Sequence, residues 1–181
     1  NYEVLSDVVH YAARKFRELG IQTVINLSPI ADGITYSVDC ADYLITNEDE
    51  ARAVLGTHEQ STQILAEMLK KQGAKNVIIT RGAKGVFAID QAGNHHSVER
   101  VPVTIENTIG AGDTFLAIFT SALNLGATFE LALEVANSAA ARVCTKQESF
   151  LSSEDIEDIA EEFAIELPKR KIIHGTEHLN D

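Results

Sequence analysis

Along positions 2–19 the apolar residues Val4, Leu5, Val8, Val9, Ala12, Phe16 and Leu19 recur at helical spacing, and Gly20 follows them. That spacing predicts an amphipathic helix stopped by the glycine. The period then shortens. IQTVIN (21–26) and ADYLITN (41–47) are short and rich in β-branched residues, the first bounded by Pro29 and the second ending in Asn47, and each predicts a strand. EDEARAVLG (48–56) returns to helical spacing. THEQ (57–60) has the Thr-x-x-Gln form of a capping box and predicts the start of a helix carrying Ile64, Leu65, Met68 and Leu69 to a stop near Gly73. NVIITRG (76–82) reads as a buried strand.

Helices and strands alternating in this order predict a parallel sheet covered by helices. The pattern breaks at GVFAID (85–90), the turn QAGN (91–94) and HHSVERVPV (95–103), which together predict an antiparallel hairpin. Beyond the glycine-rich stretch ENTIGAGDTF (106–115) come two apolar helices, about 113–125 and 128–143. Gly126 separates them and Thr128 is placed to cap the second. SSEDIEDIAEEFA (152–164) begins another helix. Without repeats, low-complexity tracts or long linkers, residues 1–181 read as a single domain.

Composition narrows the function classes. A chain of 181 residues with 45% apolar and 23% charged residues has the balance of a globular protein, not of a disordered or fibrous one. Its 15 Lys and Arg against 27 Asp and Glu give a net charge of −12, which would repel nucleic acid and anionic membrane surfaces. The densest basic cluster, PKRK (168–171), sits near the tail and reads as solvated. No apolar run is long enough to span a membrane and no signal-like segment opens the chain, so a cytoplasmic location is expected. Cys40 and Cys144 lack metal or disulfide spacing and read as buried small residues, and His95 and His96 read as surface residues of the hairpin. The chain begins at Asn1 already inside a helical pattern, which reads as a fragment or a processed piece.

Three stretches fall where a parallel sheet binds ligands, at strand ends beside helix N-termini. In TNEDE (46–50), Asn47 can cap its helix with Glu50 on a solvated first turn, or the two can face a cleft and organise water around Mg²⁺ and phosphates. In TRGAKG (80–85), Gly82 and Gly85 can be turn residues, or can let the backbone approach a nucleotide beside the Thr80 hydroxyl. In NTIGAGDTF, Gly110 and Gly112 let N–H groups converge at a helix N-terminus, where roughly half a positive charge also resides. Asp113 could cap that helix. A carboxylate beside an anion cradle is also what phosphoryl transfer to a hydroxyl requires of a general base. No Lys-Ser/Thr pair follows the glycines, so this is not a Walker A loop.

Taken in order, NEDE, TRGAKG and NTIGAGDTF resemble the Asn-x-x-Glu, Thr-x-Gly-x-x-Gly and Asp-Thr-x-Gly-Ala-Gly-Asp motifs of the ribokinase-like (PfkB-type) carbohydrate kinases. The resemblance implies a Rossmann-like three-layer α/β sandwich of the ribokinase type, mostly parallel with helices on both faces. It further implies ATP and Mg²⁺ as cofactors and a sugar-like small molecule as acceptor. Asp113 would then be the catalytic base, with Gly110, Ala111 and Gly112 as the anion hole. Asn47 would serve the phosphates and Glu50 the Mg²⁺ through water. Thr80, Arg81, Gly82, Ala83, Lys84 and Gly85 would contact the nucleotide, and Asn137 would lie beside the adenosine.

Two departures bear on a monovalent cation. The first Asp of the signature is Asn107, and the segment that usually reads Thr-Arg-x-Gly-Ala is TKQES with Glu148 in place of glycine, which argues against potassium activation although Ser152 could still offer a hydroxyl. A third departure is extent. Nothing ahead of Ile21 resembles the sugar-gripping half of these kinases, so the sandwich is expected to be incomplete at its N-terminal side. An exposed sheet edge would then need a missing half or a homo-oligomeric partner to cover it. The alternative class is a non-catalytic nucleotide-binding or regulatory module derived from such a kinase. A dinucleotide-dependent redox enzyme is a weaker rival, since no G-x-G-x-x-G follows the first strand.

Overall fold

The computed structural model describes residues 6–30 and 36–168. The expected first turn at Tyr2 to Leu5 and the basic residues 169–171 lie outside them. Within the described residues, β1 (Val24–Asn26), β2 (Tyr43–Asn47), β3 (Asn76–Thr80), β4 (Val86–Ile89) and β5 (His95–Val98) form one sheet in the order β1-β2-β3-β4-β5. β1, β2 and β3 run parallel. β4 is antiparallel to β3, and β5 antiparallel to β4, so every strand except β4 points the same way.

The two-residue period of the strands sorts their side chains into two layers. Ile25, Leu44, Val77 and Ile89 lie in register and pack under α1 (Ser6–Glu18), α2 (Glu48–Leu55) and α3 (Thr62–Lys71), where Ala13, Ala51, Leu65 and Leu69 are buried. Ile45, Ile78 and Ala88, also in register, face α4 (Ala111–Asn124) and α5 (Phe129–Val143). The second layer is pinned by rings: Phe115 stacks on Phe119 at 6.2 Å, and Phe119 meets Tyr43 edge-on at 5.6 Å and Phe129 at 5.9 Å. Outside these, α6 (Ser153–Glu162) packs Ile159 on Val135 and Ala139 of α5. The result is the Rossmann-like sandwich of helix, mostly parallel sheet and helix that the sequence predicts.

A buried carboxylate ties the strand entrances together. Thr23 donates its N–H (2.8 Å) and hydroxyl (3.1 Å) to Asp42 Oδ2, and Lys75 Nζ lies 2.6 Å from Oδ1. Burial alone would raise the Asp42 carboxyl, but the bonds from Lys75 and Thr23 outweigh it and hold the group below its ordinary value.

Three boundaries differ from the sequence expectations. Ser61, not Thr57, caps α3, its Oγ accepting from Ile64 N–H at 3.4 Å. Thr57 and Glu59 instead form a turn in which Glu59 Oε1 accepts from the N–H groups of Gln60 and Ser61, each at 2.7 Å. Helix α4 starts at Ala111, two residues earlier than periodicity suggests, because Gly110 adopts a left-handed φ of 83° and turns the chain directly into it. β5 stops at Val98, and residues 99–105 leave the sheet.

At the opposite margin, β1 pairs only with β2 among the described residues. Tyr11 of α1, Leu19 just after it and Ile21, three residues before β1, are 61%, 72% and 51% exposed.

Candidate active site

A cavity of about 480 Å³ opens at the C-terminal end of β3. Its floor is Thr80, the turn after it and Val86; one wall is the start of α4, another is α5 at Asn137 and Ala140. The remaining wall is the segment that leaves the sheet after β5, with Val101, Val103 and Ile105 facing in. Arg100 is the one charged residue in the lining, so a chain of net charge −12 keeps acids off this surface. Such a lining suits an anionic ligand with an apolar body.

The turn after β3 is shaped by its glycines. Gly82–Lys84 form one 3₁₀ turn, closed by Arg81 N–H to Gly85 O at 2.8 Å and Gly85 N–H to Gly82 O at 3.1 Å. Gly85 has φ of 80°, and a Cβ there would sit 2.0 Å from the Val98 carbonyl oxygen, so the turn can lie against β5 only with glycine. Arg81 points away from the cavity. Its Nη2 donates to Val86 O (3.1 Å) and Ser97 Oγ (3.3 Å), fastening the hairpin. Thr80, Gly82, Ala83 and Gly85 therefore line the cavity, while Arg81 and Lys84 do not.

At the α4 entrance Gly110 is the N-cap and offers no side chain to the first-turn N–H groups. Those groups have no acceptor within the helix, and the helix dipole adds positive potential beside them. Gly110 is pressed against the Ser149 carbonyl, whereas nothing lies within 4 Å of where a Cβ on Gly112 would stand. Ala111 and Gly112 line the cavity. Asp113 follows on the exposed first turn and, among the described residues, carries no hydrogen bond or ion pair, so it is not spent on capping.

Asn47 and Glu50 are placed differently. They form a reciprocal capping box at α2: Asn47 Oδ1 accepts from Glu50 N–H at 2.8 Å, and Glu50 Oε2 accepts from Asn47 N–H at 2.9 Å and from the Thr46 hydroxyl at 3.2 Å. Neither lines the cavity. Asn137 does line it and donates Nδ2 to Glu99 O at 2.9 Å.

Sequence reasoning misses the wall at residues 101–105, the first three of which fall in the strand that the alternation in VERVPV predicts. The available signal was the length of that alternation, which outruns its partner strand β4 and leaves apolar residues with no sheet face to cover. Cys144, expected to be buried, is only half-buried and lines the cavity, where loss of solvent pushes its thiol upward and keeps it neutral near pH 7. His95 is exposed as expected, whereas His96 is half-buried. It lies 3.2 Å from Asp90 Oδ2 and edge-on to Phe129 at 5.1 Å.

The fold is thus a helix–sheet–helix α/β sandwich with a cavity at the strand ends between a glycine turn and a glycine-capped helix, the position where open α/β sheets bind ligands. Residues 7–156 match the pfkB family carbohydrate kinases, and the chain belongs to that family. It is 32% identical over 142 residues to a ribokinase of Haemophilus influenzae, covering 77% of this chain and 46% of that protein. The ribokinase of Thermotoga maritima superposes with a TM-score of 0.77 at 26% identity, over 88% of this chain and 54% of the other. Arabidopsis thaliana ribokinase complexed with ribose and ATP gives a TM-score of 0.70 at 23% identity, over 81% and 50%. Escherichia coli phosphofructokinase-2 in complex with potassium gives 0.72 at 18%, over 89% and 53%. The chain thus spans about half the length of the relatives it matches. Among the described residues no helix is long and apolar enough to cross a membrane.

Proposed function

We propose that this chain is the C-terminal, nucleotide-binding and catalytic-base portion of an ATP-dependent sugar kinase. The observation that carries the reading is the convergence of Thr80, Gly82, Ala83 and Gly85, the Ala111–Gly112 start of α4 and Asn137 on one cavity whose lining holds no acid, with Asp113 next on the same helical turn but outside that lining. The apolar wall at residues 101–105 and α5 suits the base and ribose of ATP. The helix entrance suits its terminal phosphates, and Arg100 at the rim adds positive charge.

In the proposed reaction, the uncommitted Asp113 carboxylate accepts the proton of a sugar hydroxyl as its oxygen attacks the γ-phosphorus, and the bond to the ADP oxygen breaks. Charge developing on the transferred phosphoryl group is met by the first-turn N–H groups of α4. Bound Mg²⁺ would neutralise the phosphates and hold them in line. Glu50, though outside the cavity lining, keeps its Oε1 without a partner among the described residues and could hold a metal-bound water. A monovalent cation does not fit the residues present, because Asn107 sets an amide N–H against the Gln147 carbonyl at 3.1 Å.

The acceptor is a sugar or sugar-like alcohol, and the portion that grips it belongs at the open edge of β1, which the exposed Tyr11, Leu19 and Ile21 precede in sequence. Calorimetric titration of the chain with ATP, with and without Mg²⁺, tests the reading. Saturable binding that Mg²⁺ strengthens and Gly112→Val removes is expected. Binding unaffected by Gly112→Val would place the nucleotide elsewhere.

A further inference from the structure

Two loops meet beside the α4 entrance, residues 106–110 and 144–149. The N–H groups of Glu106 and Asn107 both donate to Cys144 O, at 2.8 and 3.2 Å, and Gly110 abuts the Ser149 carbonyl. The Asn107 side chain spans what remains. Its Oδ1 accepts from Ile109 N–H at 3.0 Å, and its Nδ2 donates to Gln147 O at 3.1 Å. Ile109 N–H can only donate, which fixes Oδ1 on its side and leaves Nδ2 facing Gln147.

A carboxylate at position 107 would keep the first bond and lose the second. Its other oxygen would confront the Gln147 carbonyl, acceptor against acceptor, and a cation between them would relieve the repulsion. Two polar groups that follow the Cys144 carbonyl in sequence are already committed to Asp155. The Ser152 hydroxyl donates to Asp155 Oδ2 at 2.6 Å, and Lys146 Nζ lies 2.8 Å from the same oxygen. We infer that Asn107 is a positioning residue that substitutes for a monovalent cation: its amide clasps the two loops and sets the glycine entrance of α4 without any bound ion. The inference rests on the proposal that this entrance cradles phosphate, yet the clasp can be tested without nucleotide.

The experiment is thermal melting of the 181-residue chain in potassium, sodium or choline chloride at about 0.15 M, where surface charge is screened alike. The natural chain is expected to melt at the same temperature in all three salts. Asn107→Asp should melt about 2–4 °C lower in choline, the size expected for one lost hydrogen bond, and recover in potassium. A merely structural side chain would not produce that selective recovery. Potassium-specific stabilisation of the natural chain overturns the inference, as does Asn107→Asp melting without a cation response. Should Asn107→Asp not fold, Asn107→Ala decides: lowered melting, equal in the three salts, supports the clasp, and unchanged melting overturns it. ATP titration in the same salts separates the two proposals. Absent ATP binding removes the nucleotide reading alone, whereas affinity about fivefold higher in potassium removes the clasp.

Discussion

Asn137 on α5 and Glu99, 38 residues before it, are joined by a hydrogen bond of 2.9 Å from the side-chain amide to the backbone carbonyl. That bond anchors the point where the chain departs from β5, so it holds the cavity wall at Val101, Val103 and Ile105 in place. Asn137→Ala should cost about 1 kcal/mol of stability and weaken ATP roughly fivefold or more, since the wall must then be ordered by the ligand. Calorimetry together with melting checks this. Unchanged affinity would show that the wall is held by other contacts.

The two glycines of the α4 entrance should respond differently. Gly110→Ala forces a side chain into φ of 83° with its Cβ 2.1 Å from the Ser149 carbonyl oxygen, and should destabilise the chain by roughly 1–3 kcal/mol or more. Gly112→Val meets open space and should melt near the natural chain while losing ATP. Urea unfolding beside ATP titration distinguishes the two; equal stability losses would contradict the geometry.

Asp113→Asn, made in the complete kinase, should lower kcat by roughly 10²–10⁴-fold while ATP affinity stays within a few-fold, because the amide cannot accept the proton. Steady-state kinetics with an equilibrium ATP titration provide the check. Retained turnover would remove Asp113 from the role of base.

Acid should loosen the packing of α6. Burial works to raise the Asp155 carboxyl, but Lys146 and the hydroxyl and N–H of Ser152 outweigh it and hold the group at about 2, against an ordinary 3.8. A depressed folded value means the unfolded chain binds the proton first. The stabilisation is therefore complete above pH 3.8 and is lost as pH falls through about 2. Asp90, held at about 2 by Asn94 and His96 against its own burial, adds to the same fall. Melting from pH 5 to pH 2 should drop less steeply in Asp155→Asn than in the natural chain; parallel curves would show that Asp155 contributes nothing.

Most of the sandwich was legible because its strands are short β-branched runs and its helices have clear periods, with Asn47 and Thr128 capping where their chemistry suggests. Thr57 misled because a capping box is a local pattern: its hydroxyl accepts from Glu59 N–H within a turn, and Ser61, four residues on, caps the helix at Ile64 N–H, closer to the apolar run. The glycine turn and helix entrance were legible from residue type. The fourth wall of the cavity was not, since the alternation of VERVPV looks the same whether its apolar side faces a sheet layer or a ligand cleft. Only the long-range bond from Asn137 to Glu99 separates those outcomes. Arg81 and Lys84 lie next to cavity residues in sequence, but a 3₁₀ turn sends consecutive side chains in different directions, and adjacency does not report direction.

The strands lie across the sheet in the order in which they are synthesised, and no lining residue of the cavity comes from β1 or α1. On the proposed reading, phosphoryl donor and phosphoryl acceptor can therefore evolve as separate inheritances: a portion docked on the β1 margin could be exchanged, lengthened or reshaped for a new alcohol while the proposed ATP end, built from β3 onward, stays untouched.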